Sequence, residues 1–156
     1  MQPRIETTRT RKLIGMSLKT SLVHNKTMQL FKTFMPRKKE IQNIINKDIF
    51  DIRVYPSDYY NNFNPAANFT KWAAVEVSTF EALPNGMKSI VIPAGKYAIF
   101  TIKSTNSNPS TFQYIFTEWL PNSGYALADR PHFDILGEKV QQRLPDAEEE
   151  IWIPIQ

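Results

Sequence analysis

The sequence predicts an α+β fold: duplicated β-β-α-β-β units with antiparallel sheets around a pseudo-twofold cleft, and helices on the outer face. The order strand, strand, helix, strand, strand occurs twice, and equivalent strands begin 84 residues apart, at Leu13 and Tyr97. Such internal repetition indicates a duplicated structural unit. With 156 residues, 42% of them hydrophobic, the chain is long enough for one core without covalent cross-links. We therefore expect a single domain over residues 1–156, with pseudo-repeats at 1–79 and 88–155.

The first half carries the strand and helix patterns of one unit. Apolar residues recur at spacings of three and four between residues 27 and 47, which predicts a helix, and Pro36 predicts a break or kink within it. The polar, Asn-rich stretch 57–65 predicts a loop. Short segments rich in β-forming residues predict the strands of this half at 4–9, 12–19, 51–56 and 72–77.

The second half repeats this order. A loop of Ser, Asn and Thr leads into a helix at 109–120, with Pro109 at its N-terminus and with Pro121 and Gly124 ending it. The strands of this half are predicted at 88–93, 96–103, 132–136 and 150–155.

Composition excludes several kinds of site. The chain has no cysteine, which rules out disulfides, thiolate metal ligands and cysteine nucleophiles. Its two histidines, His24 and His132, are too few for a multi-histidine metal centre, so we expect no metal and no cofactor. No stretch approaches the roughly 20 apolar residues of a membrane-spanning helix. The polar start has no secretory-signal pattern, and the sequence therefore predicts a soluble cytoplasmic protein with no membrane partner.

The positive charge is concentrated at the beginning of the chain. Residues 1–39 carry a net charge of +9 and the remaining residues −5, for a total of +4. A basic segment of this kind raises the possibility of nucleic-acid binding. However, no familiar DNA-binding motif is present, and the charges are spread along strands and one helix face. We therefore expect a solvated basic surface and no direct binding of nucleic acid.

Four segments of the second half carry motifs of a known family. Residues 92–100, IPAGKYAIF, look like the P-x-G-x-Y-A-x-F strand of the GyrI-like, or AraC-type effector-binding, domain family. Residues 118–125, EWLPNSGY, resemble that family's W-L-P-x-S-G-Y helix end, and residues 151–155, IWIPI, match its closing I-x-I-P-I. Residues 131–134, PHFD, stand where the family has F-E-x-Y. The first half matches more weakly through residues 12–16, and the resemblance covers essentially the whole chain.

The resemblance implies two related α+β units around a cleft that binds small molecules. Family members fused to a DNA-binding domain sense hydrophobic, often cationic, drugs. Stand-alone relatives include a gyrase inhibitor, general small-molecule binders and hydrolases of cyclopropane-bearing compounds. This chain carries no helix-turn-helix segment beside the domain, so the resemblance predicts a stand-alone member. The family's pocket glutamate falls on Asp134 here, and Leu136 replaces the tyrosine expected two residues later.

Asp134 is the main candidate for a ligand contact. Strand alternation puts it on one face with His132 and Leu136, opposite its two apolar neighbours. A buried carboxylate among aromatic rings suits a cation. The alternative is an ordinary strand aspartate that is solvated or paired with Arg130 or His132, and the sequence leaves both open.

The other ligand-binding candidates are five aromatic residues and one acid: Trp119, Tyr125, Tyr97, Trp72, Trp152 and Glu150. For Trp119, core packing and ligand orientation are equally consistent with the sequence, whereas Tyr125 is favoured as a pocket residue. Glu150 is the only member of the acidic run 148–150 that lies within a predicted strand. No catalytic residue is predicted, because the chain has neither a phosphate-binding glycine loop nor a nucleophile elbow.

Three functions follow from these observations. The first is a non-enzymatic protein that sequesters or senses hydrophobic, cationic aromatic compounds, with Asp134 selecting positive charge. The second is a hydrolase of reactive hydrophobic compounds, in which Asp134 or Glu150 with a raised pKa activates water. The third is a protein-interaction module that binds gyrase or a separate regulator. Turnover of a ligand distinguishes the second from the first, and copurification with a large partner identifies the third.

Overall fold

The computed structural model describes residues 1–106 and 108–156 and places their eight strands in one antiparallel sheet. The strand order in the sheet is β1-β6-β8-β7-β3-β4-β2-β5. The strands are β1 (Arg4–Thr8), β2 (Arg11–Thr20), β3 (Ile49–Val54), β4 (Phe69–Glu76), β5 (Lys88–Ile92), β6 (Gly95–Lys103), β7 (His132–Leu136) and β8 (Glu148–Pro154).

Two helical segments pack on the same face of this sheet. Helix α1 continues as a 3₁₀-helix from Met35 to Glu40, and helix α2 continues as a π-helical turn and then as α3. A short fourth helix precedes the last strand. The helices are α1 (Thr27–Phe34), α2 (Pro109–Tyr114), the π-helical turn Ile115–Trp119, α3 (Leu120–Ser123) and α4 (Glu138–Gln141), and Ser104–Asn106 form a 3₁₀ turn.

The strand order confirms the predicted duplication. From one edge inward the strands are β1, β6, β8 and β7, and from the other edge inward they are β5, β2, β4 and β3. The two orders are equivalent when β1 to β4 of the first half are matched with β5 to β8 of the second half. The central pair β3 and β7 therefore lies at the pseudo-twofold, and the first strand of each half adds to the outer edge of the other half. The proposed repeat boundaries, 1–79 and 88–155, stay a prediction that a superposition of the two Cα traces checks.

The two exchanged strands force the sheet to curl. In a flat sheet, β1 and β2 would be about 29 Å apart, since six strand spacings separate them. The chain links Thr8 to Arg11 in three Cα steps, which span at most about 11 Å. The sheet therefore bends into a half-barrel. The link between β1 and β2 meets the link between β5 and β6 at the open side of this half-barrel. There the backbone N–H of Ala94 donates to Thr10 Oγ1 at 3.2 Å.

Each face of the curled sheet has its own core. The inner core joins strands from both halves through buried side chains such as Leu13, Ile52 and Tyr97. On the outer face, α1 packs through Leu30 and Phe34 against β2 and β4, and the second helical segment packs against β6 and β8. The helices therefore lie on the outer face, as the sequence predicts. Within residues 1–106 and 108–156, these two helical segments leave the outer face of β3 and β7 between them.

Two helix boundaries differ from the sequence prediction. The first helix does not reach residue 47, because the chain becomes extended at Ile41 and Ile44 bridges to Val77 at the edge of the sheet. The change from α to 3₁₀ geometry falls beside Pro36, where a break was expected. The second helix passes through Pro121 and ends at Gly124, whose φ of 81° is a conformation that glycine adopts without strain.

Gly15 provides a test of the contact between β2 and β4. A Cβ atom at this position would overlap the carbonyl oxygen of Ala73 and the Cα of Ala74. We expect Gly15→Ala to lower the free energy of unfolding by about 2–3 kcal/mol, because the two strands must separate. Gly137→Ala is the matched control, since the nearest atom to its Cβ is 3.8 Å away. Urea unfolding measures both, and equal stabilities would contradict the prediction.

Candidate functional site

A cleft with two adjoining hollows lies on the outer face of the sheet, above β3 and β7. The first hollow, the aromatic lobe, has a volume of about 510 Å³ and is walled by Tyr59, Tyr60, Phe63 and Phe116. The second, the polar lobe, has a volume of about 390 Å³ and contains Asp51, Arg53, Lys71 and Asp134. Both hollows share a boundary formed by Leu22, Tyr55, Pro109 and Phe112, so they form one continuous site.

Three segments outside the sheet form the walls of this cleft. They are residues 22–27 at the start of α1, the loop 57–65, and one face of the helical segment that starts at Pro109. The side chain of Asn108 caps that helix by accepting hydrogen bonds from the backbone N–H groups of Ser110 and Thr111. Such a cap fixes the position of the first helical turn, which borders both lobes.

Aromatic rings fill one side of the cleft. The ring of Tyr55 lies 4.5 Å from that of Tyr59 and 5.3 Å from that of Tyr60, and Tyr60 stacks on Phe116 at 5.3 Å. Burial raises the pKa of Tyr59 to about 12, and burial also raises the pKa of Tyr60. The phenols therefore keep their protons and present hydroxyl groups beside apolar ring faces. Phe63 remains 53% exposed at the mouth.

Four charged side chains form the floor of the polar lobe. Arg53 Nη2 donates to Asp134 Oδ1 at 2.9 Å, and Arg53 Nη1 lies 3.8 Å from Asp51 Oδ1. Lys71 Nζ lies 3.3 Å from Asp51 Oδ2 and donates to Thr27 Oγ1 at 2.9 Å. Two acids and two bases therefore cancel, and the floor carries no formal net charge.

The ion pair between Arg53 and Asp134 is almost closed to solvent, with exposures of 7% and 6%. Burial raises the pKa of the Asp134 carboxyl group, and the positive charge of Arg53 opposes this shift. Burial lowers the pKa of Arg53, but the nearby Asp134, Tyr55 and Asp51 outweigh it and raise the pKa overall. Arg53 is therefore permanently positive.

His132 lies between the floor and the aromatic cluster. Its ring packs edge-on against Tyr55 at 4.9 Å and stacks with Tyr60 at 6.2 Å, and its Nδ1 has no hydrogen-bond partner among the described residues. Burial, together with the charge of Arg53, lowers the pKa of His132 well below its usual value. The imidazole is therefore neutral and packs among the rings of Tyr55, Tyr60 and Phe116.

Of the predicted ligand-binding residues, only Asp134 lies in this cleft. Its strand alternates as expected, since Asp134 and His132 are on the outer face and Phe133 is in the inner core. Trp72, Tyr97 and Trp152 also belong to the inner core, on the other side of the sheet. The Tyr97 hydroxyl donates to the Pro131 carbonyl at 2.8 Å, and the Trp152 ring stacks on Phe133.

Of the remaining three candidates, Trp119 and Tyr125 lie farther along the outer surface, and Glu150 lies on the inner-face side of β8 with Trp152. Trp119 and Tyr125 stack on each other and border a groove of about 510 Å³ beside β1. Glu150 accepts hydrogen bonds from Arg4 at 2.7 Å and from Trp152 Nε1 at 3.1 Å. The structure does not bring these residues, or the three inner-core aromatics, together with Asp134. A role for any of the six in ligand binding stays a prediction.

The sequence hypothesis did not single out most of the cleft residues. Arg53 and Asp51 were assigned to a strand by their alternation, but nothing marked their face as the site. Tyr59, Tyr60 and Phe63 belong to the stretch described as a polar loop, where three aromatic residues within five positions were an available signal. Phe112 and Phe116 marked the helix, and their spacing of four places them on one face of it.

Within residues 1–106 and 108–156, no group of three or more His, Asp or Glu side chains could hold a metal ion. In the same part of the chain, no helix combines the length and apolarity needed to cross a membrane.

The chain is similar to known proteins over most of its length. A family model described as Cass2, integron-associated effector binding protein, matches residues 4–155. The transcriptional regulator BrlR of Pseudomonas aeruginosa is 27% identical over 146 residues, which make up 92% of this chain and 51% of BrlR. A DNA gyrase inhibitor of Erwinia billingiae is 35% identical over 74 residues, or 45% of this chain and 48% of the inhibitor. This chain thus spans about half the length of the curated relatives it matches.

The fold is also shared with solved structures. The structure of SAV2435 bound to tetraphenylphosphonium has a TM-score of 0.71 at 12% sequence identity, covering 100% of this chain and 94% of that one. At this identity the likeness shows a common fold. This likeness agrees with the fold described above, a half-barrel sheet with helices on the outer face of the sheet.

The neutral state of His132 predicts a pH dependence of stability. In the unfolded chain, histidine has a pKa of about 6.5, so below that pH the unfolded state binds a proton that the folded state excludes. We expect the free energy of unfolding to fall by up to about 1.4 kcal/mol per pH unit from this residue alone. Urea unfolding of the parent and His132→Phe at pH 7 and pH 5 isolates the contribution.

The exposed His24 supplies the control for this measurement. His24→Gln should keep the full acid sensitivity of the parent, and His132→Phe should lose part of it. Identical pH profiles for the parent and His132→Phe would show that His132 is protonated in the folded state.

Proposed function

Because the chain belongs to the family of integron-associated effector-binding proteins, we propose that it binds a small hydrophobic aromatic molecule in the cleft above β3 and β7. In this proposal the ligand contacts both the aromatic and the polar lobe. Asp134, which the sequence analysis predicts to bind ligand, belongs to the polar lobe. It keeps the cytoplasm as the place of action, as the sequence predicts.

The observation that supports this proposal most directly is the amphipathic character of the cleft. A ligand ring entering the aromatic lobe would replace water against Tyr60, Phe63 and Phe116, and burial of apolar surface is favourable at about 25 cal/mol per Å². The adjoining charges and hydroxyl groups could orient one polar end of the molecule. Concave, mostly apolar hollows with a few convergent polar groups are typical of small-molecule sites.

The biological output that we propose is sensing or sequestration. One relative is named a transcriptional regulator and another a DNA gyrase inhibitor, so a ligand-binding domain of this kind occurs among proteins that act on transcription and on gyrase. Sequestration needs only binding, whereas sensing needs ligand occupancy to change the cleft walls. The loop 57–65 and residues 22–27 are suited to such a change because they are irregular segments anchored to a rigid sheet.

The sequence also predicts that the ligand is cationic, which is more specific than the binding of an aromatic molecule. This prediction is supported by the aromatic rings, which attract cations through their faces, and by the solved structure of SAV2435 with tetraphenylphosphonium. It depends on whether a ligand cation can compete with Arg53 for the carboxylate of Asp134. The competition between the two cations therefore decides the charge selectivity.

Two further functions remain alternatives. Hydrolysis of a reactive hydrophobic compound is supported by one observation, the raised pKa of Asp134 that burial produces. Incubation of the protein with a bound compound, followed by mass spectrometry, detects turnover. Binding of gyrase or a separate regulator is the other alternative, and isolation of a stoichiometric complex with purified gyrase would support it.

Substitution of Phe63 tests the aromatic lobe. We expect Phe63→Ala to weaken binding of the uncharged fluorophore N-phenyl-1-naphthylamine about five- to tenfold, because the exposed ring lines the mouth and its loss removes stacking area. Fluorescence titration measures the dissociation constant. Leu83→Ala is the control, since Leu83 is also exposed, at 49%, and does not line either lobe.

Trp119→Ala extends the same titration to the other predicted site. If the ligand binds in the cleft, this change should leave the dissociation constant within about twofold of the parent. Stronger weakening by Trp119→Ala than by Phe63→Ala would move the ligand to the groove beside β1, and absence of binding by the parent protein would overturn the proposal.

A further inference from the structure

The carboxylate that would attract a cationic ligand already has a cation beside it. Arg53 Nη2 lies 2.9 Å from Asp134 Oδ1, and both side chains are more than nine-tenths buried. A ligand cation can reach this carboxylate only by displacing the guanidinium or by adding a second positive charge next to it.

Several contacts hold Arg53 in this position. Its guanidinium lies over the ring of Phe112 at 5.4 Å from the ring centre, and its other terminal nitrogen lies 3.8 Å from Asp51. Its backbone is paired on both sides, with Lys71 of β4 and His132 of β7 directly opposite. Displacement of the guanidinium would break its contacts with Phe112, Asp51 and Asp134 together and leave a permanent charge without its partner in a closed space, which is unfavourable.

A second cation beside Arg53 would meet an electrostatic environment that is already balanced. Asp51 is shared between Arg53 and Lys71, so neither carboxylate of the floor lacks a positive neighbour. The carboxylate oxygen Asp51 Oδ1 is buried and accepts no hydrogen bond from the residues that the structure describes. It can accept one from an uncharged N–H or O–H group, which requires no counter-charge.

We propose, building on the proposed small-molecule function, that Arg53 is the specificity-determining residue of the cleft. It occupies the place beside Asp134 that a cationic group of a ligand would need. The cleft therefore selects uncharged aromatic molecules over cations of the same shape. Removal of the positive charge of Arg53 converts it into a site that prefers cations.

A pair of flat probes that differ in charge tests this inference. At pH 8, 4-phenylpyridine is uncharged, and its N-methyl derivative carries a permanent positive charge on nearly the same shape. Displacement of N-phenyl-1-naphthylamine gives both dissociation constants. For the parent protein we expect the uncharged probe to bind at least as tightly as the cation. A parent protein that binds the cation tenfold more tightly would overturn the inference and leave the proposed function standing.

Variants of the Arg53–Asp134 ion pair should then change the preference between the charged and the uncharged probe in a predictable direction. Arg53→Met leaves the floor with a net charge of −1, and we expect the affinity ratio to shift at least tenfold towards the cation. Asp134→Asn leaves a net charge of +1 and should shift it further towards the uncharged probe. In the double variant Arg53→Met with Asp134→Asn, the net charge is again zero, so the ratio should return to within about threefold of the parent value.

Two control variants separate local charge from general effects. Arg37→Met makes the same change at a site that is paired with Glu40 outside the cleft, and Glu150→Gln removes an acid outside it. Neither should move the ratio by more than about twofold. Thermal melting monitors folding, because Arg53→Met leaves two buried carboxylates with one cation; if that variant does not fold, Asp134→Asn and the double variant still provide the comparison.

The outcomes distinguish the two proposals. An unchanged ratio in folded Arg53→Met, or in Asp134→Asn if Arg53→Met does not fold, would show that the ion pair does not set charge selectivity. If the parent protein binds none of the three compounds (N-phenyl-1-naphthylamine, 4-phenylpyridine and its N-methyl derivative), the proposed function is overturned, and the inference about Arg53 with it.

Discussion

The pairing of β3 with β7 imposes the constraint on which the rest of the site depends. Because these two strands meet in antiparallel register at the pseudo-twofold, Asp51 lies directly opposite Asp134 on the outer face. Like charges in such a pair repel, the more so when they are buried. The sheet compensates on the diagonals, where Arg53 pairs with Asp134 and Lys71 pairs with Asp51. The two cations therefore stabilise the pairing of the central strands.

The same two strands connect the cleft to the inner core. Phe50 and Phe133 project from β3 and β7 to the inner side, where their rings are 5.6 Å apart, and Asp51 and Asp134 project to the outer side. A shift of one residue in the register would move the charged side chains into the apolar core. Packing of the core thus holds the floor of the cleft rigid. The walls come from a loop and from helix ends, so the fold combines a fixed polar floor with adaptable aromatic walls.

The sequence predicts the fold well because both halves carry clear local patterns, and it predicts the site poorly because those patterns do not identify which face of the sheet is the cleft. Alternation correctly placed Asp134 with His132. The same period of two is consistent with Tyr97 and Trp152 on either face, and their place in the inner core depends on the curl. That curl results from the exchange of β1 and β5 between halves, a long-range pairing with no local signal. Tyr59 and Tyr60 lie in a loop without periodicity.

The position of the charges on adjacent strands explains how such a fold can change ligand class with few substitutions. Arg53 and Asp134 are diagonal neighbours, so a change at either residue alters the net charge of the floor by one unit without touching the inner core. Asp134 is one methylene shorter than the glutamate of the resembled family, and it lies within hydrogen-bond distance of the neighbouring strand's arginine. If Arg53 sets charge selectivity as proposed, that selectivity depends on the strand next to the acid as much as on the acid itself. A carboxylate at the family position is therefore insufficient evidence for a cation site unless the residue diagonal to it is also known.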